Sequence, residues 1–304
     1  MHRGRVLKST GKWYVVEDEE GNEFNATLRG KLKLTYTKNT NPVSVGDWVS
    51  FIKTDTNDFV ISEIEKRINY IIRKSVNLSK ETHIIASNID LACLVVSIAQ
   101  PKITYGFIDR FLVTAECYSI PSIIVVNKSD LWNQEQQQEA EELKNIYENI
   151  NYKVFFVSAE NNNGIEELKE ILKNKVTLFS GHSGVGKSTI VNALNNKLEI
   201  KTAKISSYNQ KGQHTTTFAQ MHKWSFGGYL VDTPGIKEFG LVDLSKEEIQ
   251  DYFPEILAHK NKCKYNNCLH IGEHGCEIIK LVEAGVINKI RYKNYLSFLE
   301  KDIN

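Results

Sequence analysis

Apolar residues fall in two different rhythms along the chain. Through about residue 72 they occur in short alternating stretches, Arg5-Val6-Leu7, Lys12-Trp13-Tyr14-Val15-Val16, Asp47-Trp48-Val49-Ser50-Phe51-Ile52 and Phe59-Val60-Ile61. Turn residues at 18–22, Asn41-Pro42 and 55–58 separate them. Alternation with a period of two, broken by such turns, predicts a small antiparallel barrel. Beyond it, continuous apolar runs trade places with helical periodicity. The pattern predicts strands at 91–98, 123–126, 154–157 and 176–179, with helices at 107–116, 135–150, 165–172 and 190–194. Strands apolar on both faces, separated by helices, predict a doubly wound α/β sheet with ligands at the strand carboxyl ends. From Ile236 onward the pattern is again helical.

The chemistry gathers at those strand ends. Gly181-His182-Ser183-Gly184-Val185-Gly186-Lys187-Ser188 follows one predicted strand and opens a helix, the context a phosphate loop requires. Glycines let backbone N–H groups curl around phosphates, and the helix N-terminus adds favourable partial charge. Lys187 is then expected to reach the β- and γ-phosphates, and the Ser188 hydroxyl to ligate Mg²⁺. At the end of another strand stands Asn127-Lys128-Ser129-Asp130. The Asp130 carboxylate can accept from the ring N–H and exocyclic amine of guanine, and adenine lacks that amine. The Lys128 stem is expected to pack along the base and Asn127 to brace neighbouring loops. Ser158-Ala159, after a third strand, fits a second base-binding loop.

Tyr229-Leu230-Val231 leads into Asp232-Thr233-Pro234-Gly235. Asp232 suits a carboxylate that holds Mg²⁺, and the Gly235 amide one that meets the γ-phosphate. The intervening polar segment holds Gly212-Gln213-His214-Thr215-Thr216-Thr217, as a switch loop would; one of Thr215, Thr216 and Thr217 is expected on Mg²⁺. Ile236 occupies the place where many GTPases put a water-orienting glutamine. A hydrocarbon cannot orient water, so His214 becomes the best catalytic candidate within the chain.

The base-reading motif precedes the phosphate loop, the reverse of the usual GTPase order, so the nucleotide domain is expected to be circularly permuted. Permutation is cheap because domain termini lie at the surface. It also places the segment after Asp232 directly before the C-terminal region.

Five cysteines, an odd number, fit a reducing compartment better than a disulfide framework. Cys93 and Cys117 are expected as small buried hydrophobes. The other three, Cys263, Cys268 and Cys276, cluster with histidines nearby, a Cys₃His set of the kind that closes a structural zinc site. His270 and His274 compete for the fourth position, with His259 further off.

Composition is that of an ordinary globular chain, 304 residues with 41% apolar and 25% charged. No apolar run approaches the ~20 residues a bilayer span needs, and residues 1–5 lack a signal-peptide core. A cytoplasmic protein without membrane attachment is expected. With a net charge of +1, nucleic-acid binding would rest on local patches such as Arg29, Lys31, Lys33, Tyr36 and Lys38.

The motif order, the switch segment at 212–217 and the flanking regions together resemble the ribosome small subunit-dependent GTPase A family, over essentially the whole chain. The resemblance implies an OB-fold barrel over 1–72, a permuted GTPase domain over 73–238 and a zinc-binding, mostly helical domain over 239–304. It implies guanine recognition by Asn127, Lys128 and Asp130 and phosphate binding from Gly181 through Thr189. His270 becomes the fourth zinc ligand and His214 the catalytic histidine. The implied activity is GTP hydrolysis to GDP, stimulated by the small ribosomal subunit during its late maturation. The subunit and its rRNA are the expected partners of a monomer. Two other classes share some of these residues. An ATP-using phosphate-loop enzyme would have no use for Asp130, and an RNA-binding scaffold that holds GTP would show no stimulated turnover.

Overall fold

The computed structural model describes residues 1–30, 42–74, 82–195, 219–232 and 244–300. His214 with Thr215 to Thr217, Gly235 and Ile236, and Lys31, Lys33, Tyr36 and Lys38 lie outside the described residues. Two compact units divide the chain. One comprises Met1–Cys93, Ile165–Ser180 and Lys187–Lys237, the other Leu94–Gly164, Gly181–Gly186 and Glu238–Asn304.

The first unit contains the expected barrel. Its strands are β1 (His2–Ser9), β2 (Tyr14–Asp18), β3 (Glu23–Leu28), β4 (Trp48–Lys53) and β5 (Phe59–Ile64). β1 pairs antiparallel with both β2 and β4, β2 with β3, and β4 with β5, while β3 runs parallel to β5 and completes the ring. The inward half of each alternation fills the interior, with Val6, Tyr14, Val16, Ala26, Val49, Phe51 and Ile61 all buried. A short antiparallel pair follows, β6 (Tyr70–Lys74) and β7 (Thr82–Ser87). Buried Asp47 fastens this region to the barrel, accepting from Arg67 Nε at 2.6 Å, the Ser87 hydroxyl at 2.6 Å and the Ser44 N–H at 2.8 Å.

A bulge between Val6 and Lys8 redirects β1, and Lys8 pairs with Gln220 as well as Val15. Gln220 belongs to β12 (Gln220–Lys223), which pairs antiparallel with β13 (Gly228–Asp232), itself parallel to β11 (Lys175–Ser180). The barrel strand thus continues into the sheet that contains β11, β12 and β13. Side chains reinforce the junction. Glu17 accepts from the Tyr229 hydroxyl at 3.0 Å and from Lys223 at 2.9 Å, and the Arg5 guanidinium lies over the rings of Trp48 and Tyr229. The β12–β13 turn is tight because Gly227 and Gly228 both take positive φ; a Cβ on Gly228 would run into the backbone of Lys175. Helices α3 (Ile165–Leu172) and α4 (Lys187–Leu194) belong to the same unit.

The second unit carries β9 (Ser122–Asn127) and β10 (Lys153–Phe156), which pair in parallel, beside β8 (Leu91–Ser97), whose last residues belong here. Helices α1 (Tyr105–Cys117) and α2 (Gln134–Glu148) occur where the periodicity predicted them. Thr104 and Asn133 cap their N-termini, the latter in a reciprocal box with Gln136. Cys93 is fully buried as expected, whereas Cys117, at the helix end, is half-buried.

The C-terminal region of this unit holds α5 (Lys246–Ile249), α6 (Pro254–Leu257), α7 (Glu277–Glu283) and α8 (Lys289–Glu300). Phe253, Ile256, Ile278, Tyr295 and Phe298 form its core together with Val113 of α1. An ion network lies under that core. Arg291 of α8 bonds Asp109 of α1 at 2.6 Å and Glu255 at 2.7 Å, its side chain only 2% exposed. Asp109 also accepts from the Tyr147 hydroxyl at 2.7 Å and from Asn294 at 2.5 Å. Burial and the Asp109 charge hold the Tyr147 phenol well above its ordinary pKa, so it stays a donor. With every member bonded, the network fixes α8 to α1 in one register. Among the described residues no helix is long and apolar enough to cross a membrane.

Candidate functional site

Within the second unit, Asn127 ends β9 and joins two loops. Its side-chain amide donates to the Val185 carbonyl at 2.9 Å, and its Oδ1 accepts from the Ala159 N–H at 3.2 Å. Residues far apart in sequence, the segment 181–186 and the Ser158-Ala159 loop, are thereby held against one amide. Approach is close enough that a Cβ on Gly186 would strike Asn127 Nδ2, and one on Gly181 the Val95 carbonyl. Both glycines adopt positive φ, so the loop demands glycine on steric and conformational grounds alike.

Lys128 takes a left-handed backbone and donates from Nζ to the Gln100 carbonyl at 2.6 Å. Its stem is thereby held beside the residues that follow β8. Ser129 and Asp130 form a single 3₁₀ turn that leaves the Asp130 carboxylate exposed to solvent. The Ser158-Ala159 loop closes on itself through paired backbone bonds between Ser158 and Asn163 at 3.0 Å. On the loop 181–186, Ser183 and Gly184 are exposed, Val185 is buried, and the His182 ring stacks on Phe107 with centroids 3.9 Å apart.

In the first unit, Lys187 and Ser188 begin α4, with Ser188 buried and Thr189 exposed. Burial pulls the Lys187 ammonium below its ordinary pKa, a cost that an anionic ligand would offset. Asp232 ends β13. Burial pushes its carboxyl above the usual range, partly countered by His222 on the neighbouring strand. A desolvated carboxylate at a strand end is a group that a divalent cation stabilises.

The cysteine cluster is assembled in the second unit. Cys263, Cys268, His270 and Cys276 bring their ligand atoms within 4.8 Å of one another. Cys263 and Cys276 sulfurs are 4.0 Å apart, and His270 Nδ1 lies 3.6 and 3.4 Å from them. A tetrahedral centre with metal–sulfur bonds of about 2.3 Å needs sulfurs roughly 3.8 Å apart, so the set fits. Burial pushes the Cys268 thiol up to about 12. A cation would stabilise the Cys268 thiolate against that burial. His274 is exposed, and His259 approaches Lys262, so the imidazole aimed at the thiols is that of His270.

Sequence reasoning missed the groups that hold this cluster. His270 Nε2 bonds Gln250 Oε1 at 3.1 Å, which assigns the proton to Nε2 and turns Nδ1 toward the sulfurs. Gln250 in turn donates to the Glu247 carbonyl at 2.9 Å. The Glu273 carboxylate accepts from the N–H groups of Leu269, Ile271 and Gly272 and shapes the loop, in which His270 takes a positive φ. Tyr292 and Tyr295 of α8 donate to the carbonyls of His270 and Leu269 at 2.6 and 2.8 Å. A glutamine twenty positions upstream carries no metal-site signal in sequence; only its place opposite the imidazole reveals it.

Known proteins resemble this chain over nearly its whole length. Residues 3–61 match the RsgA N-terminal domain and residues 64–242 the RsgA GTPase family. The chain is 50% identical over 302 residues to the small ribosomal subunit biogenesis GTPase RsgA of Flavobacterium psychrophilum, covering 98% of this chain and 93% of that one. To the protein of that name from Bacteroides fragilis it is 48% identical over 298 residues, covering 98% and 96%. Its structure is similar to YjeQ from Thermotoga maritima, with a TM-score of 0.81 at 34% identity over 98% of this chain and 97% of that one. YloQ, described as a circularly permuted GTPase, superposes with a TM-score of 0.78 at 28% identity, over 99% and 94%.

Proposed function

Because the chain belongs to the RsgA GTPase family, we propose that it hydrolyses GTP in the biogenesis of the small ribosomal subunit, and that docking on the subunit accelerates turnover. The observation that carries the reading is the Asn127 amide, which joins the loop 181–186 to Ser158-Ala159 at the end of the strand that leads into Asp130. One nucleotide needs its phosphate and guanine loops held together, and the two Asn127 bonds support reading these segments as that pair.

In this reading Asp130 selects guanine and Lys128 flanks the base, with Asn127, Ser129, Ser158 and Ala159 completing that end. Gly181, His182, Ser183, Gly184, Val185, Gly186 and Thr189 surround the phosphates, and Lys187 meets them in the ground state. Ser188 and Asp232 would hold Mg²⁺, which neutralises charge on the phosphate oxygens when bound, and Gly235 would meet the γ-phosphate. Cys263, Cys268, His270 and Cys276 hold one structural zinc. Four protein ligands would leave no open position, so the metal would contribute to folding of the C-terminal region. The barrel over 1–72 and the zinc region over 239–304 serve as contacts for rRNA, and the protein acts as a cytoplasmic monomer.

His214 is the proposed catalytic group, orienting or deprotonating water where Ile236 cannot. Turnover measured with and without purified small subunits tests both claims. We expect slow intrinsic hydrolysis, strong stimulation by subunits, and loss of most of that stimulation in His214→Ala. General acid–base groups contribute about 10²–10⁴ in rate. Turnover unchanged by subunits would refute the stimulation. Full stimulated turnover in His214→Ala would move the catalytic role to another group and leave the GTPase assignment intact.

A further inference from the structure

Helix α1 is in contact with the phosphate loop at one end and with the C-terminal region along its side. At its first turn the Phe107 ring lies against the His182 ring, centroids 3.9 Å apart and planes inclined by 29°. Thr104 caps the helix through the Phe107 N–H, which fixes where that ring begins. Two residues on, Asp109 receives Arg291 and Asn294 from α8. On that same helix, Tyr292 and Tyr295 hold the carbonyls of His270 and Leu269, the loop that carries a metal ligand. The side-chain contacts of this series are joined through the backbones of α1 and α8, and all lie within one compact unit.

We propose that Phe107 is a positioning residue for the phosphate loop, and that the buried Asp109–Arg291 pair ties its placement to the Cys₃His centre. The proposal rests on the GTPase reading and adds a route by which the C-terminal region sets nucleotide affinity. Asn127 on Val185 and the close fit of Gly181 to the Val95 carbonyl also hold the loop 181–186. Phe107 adds a contact on the His182 side of the loop. Half-buried and stacked, Phe107 can be truncated without opening the hydrophobic core, whereas a shift of α8 would carry α1 and the ring with it. By thermodynamic reciprocity, a C-terminal contact that moved α8 would alter nucleotide affinity, and nucleotide would alter that contact to the same extent.

The test measures the affinity of the full-length, zinc-loaded protein for a fluorescent GDP, together with its melting temperature. Phe107→Ala should weaken GDP binding roughly three- to tenfold, the range an aromatic pair supports, with an unchanged melting temperature; Phe107→Tyr should restore it. Asn294→Ala keeps the ion pair but removes one bond to Asp109. It should weaken binding in the same direction, and should add nothing in the Phe107→Ala background, because both act through one ring. Wild-type affinity in Phe107→Ala would overturn the positioning role. Additive effects of the two substitutions would overturn the tie to α8. A wild-type chain that bound no guanine nucleotide would instead refute the underlying GTPase reading.

Discussion

Asn127 shows how much one side chain can organise. As an amide it offers a donor and an acceptor in fixed opposition, and both are used, on Val185 and Ala159. Aspartate would keep the acceptor and repel the Val185 carbonyl, and alanine would keep neither. Each bond contributes about 1 kcal/mol net, so Asn127→Ala should weaken GDP binding roughly ten- to thirtyfold. Titration with a fluorescent nucleotide checks this, and an affinity equal to wild type would show that the loops hold their spacing without the amide. Linear motifs made this residue legible in sequence, because its chemistry depends on immediate neighbours. Phe107 and Gln250 were not legible. An aromatic on an apolar helix face and a glutamine in a short polar one are ordinary, and their roles come from partners 75 and 20 positions away that the fold brings to them.

At the level of elements, β8, β9 and β11 were readable because parallel strands are buried on both faces and show as unbroken apolar runs. β3, with the sequence Glu-Phe-Asn-Ala-Thr-Leu, and β12, Gln-Met-His-Lys, were not. Each has one fully buried side chain, and its strand character comes from ladder bonds to neighbours on both sides. The short helices around the cysteines depend on something other than periodicity. At four residues each, α5 and α6 are too short to persist alone. The Cys₃His centre and its braces hold them, so metal removal by a chelator should unfold this region in a transition separate from the rest. Gln250→Leu should loosen zinc by about ten- to a hundredfold, the usual cost of losing an imidazole's partner. Competition with a chromophoric chelator reads that directly, and an unchanged zinc affinity would show that Gln250 does not orient His270.

For the molecule as a whole, permutation decides which segments border the nucleotide domain. The chain leaves the barrel, completes strands β8 to β10, and only then reaches the segment 181–186; the residues after Asp232 lead into the region of the Cys₃His set. The junction at Lys8 and Gln220 carries a consequence for any attempt to separate these parts. With β1 removed, β12 loses its one register pair on that side, Gln220 with Lys8, and becomes an outer strand. Glu17 would no longer cover the Tyr229 hydroxyl and Lys223. Exposed strand edges of this kind recruit other chains. A chain cut after residue 72 should therefore self-associate at micromolar concentration while the full-length protein stays monodisperse, as light scattering would register; a monodisperse truncated chain would refute this. Self-association of the cut chain would show that the N-terminal barrel, beyond any contact with RNA, also covers the outer edge of β12.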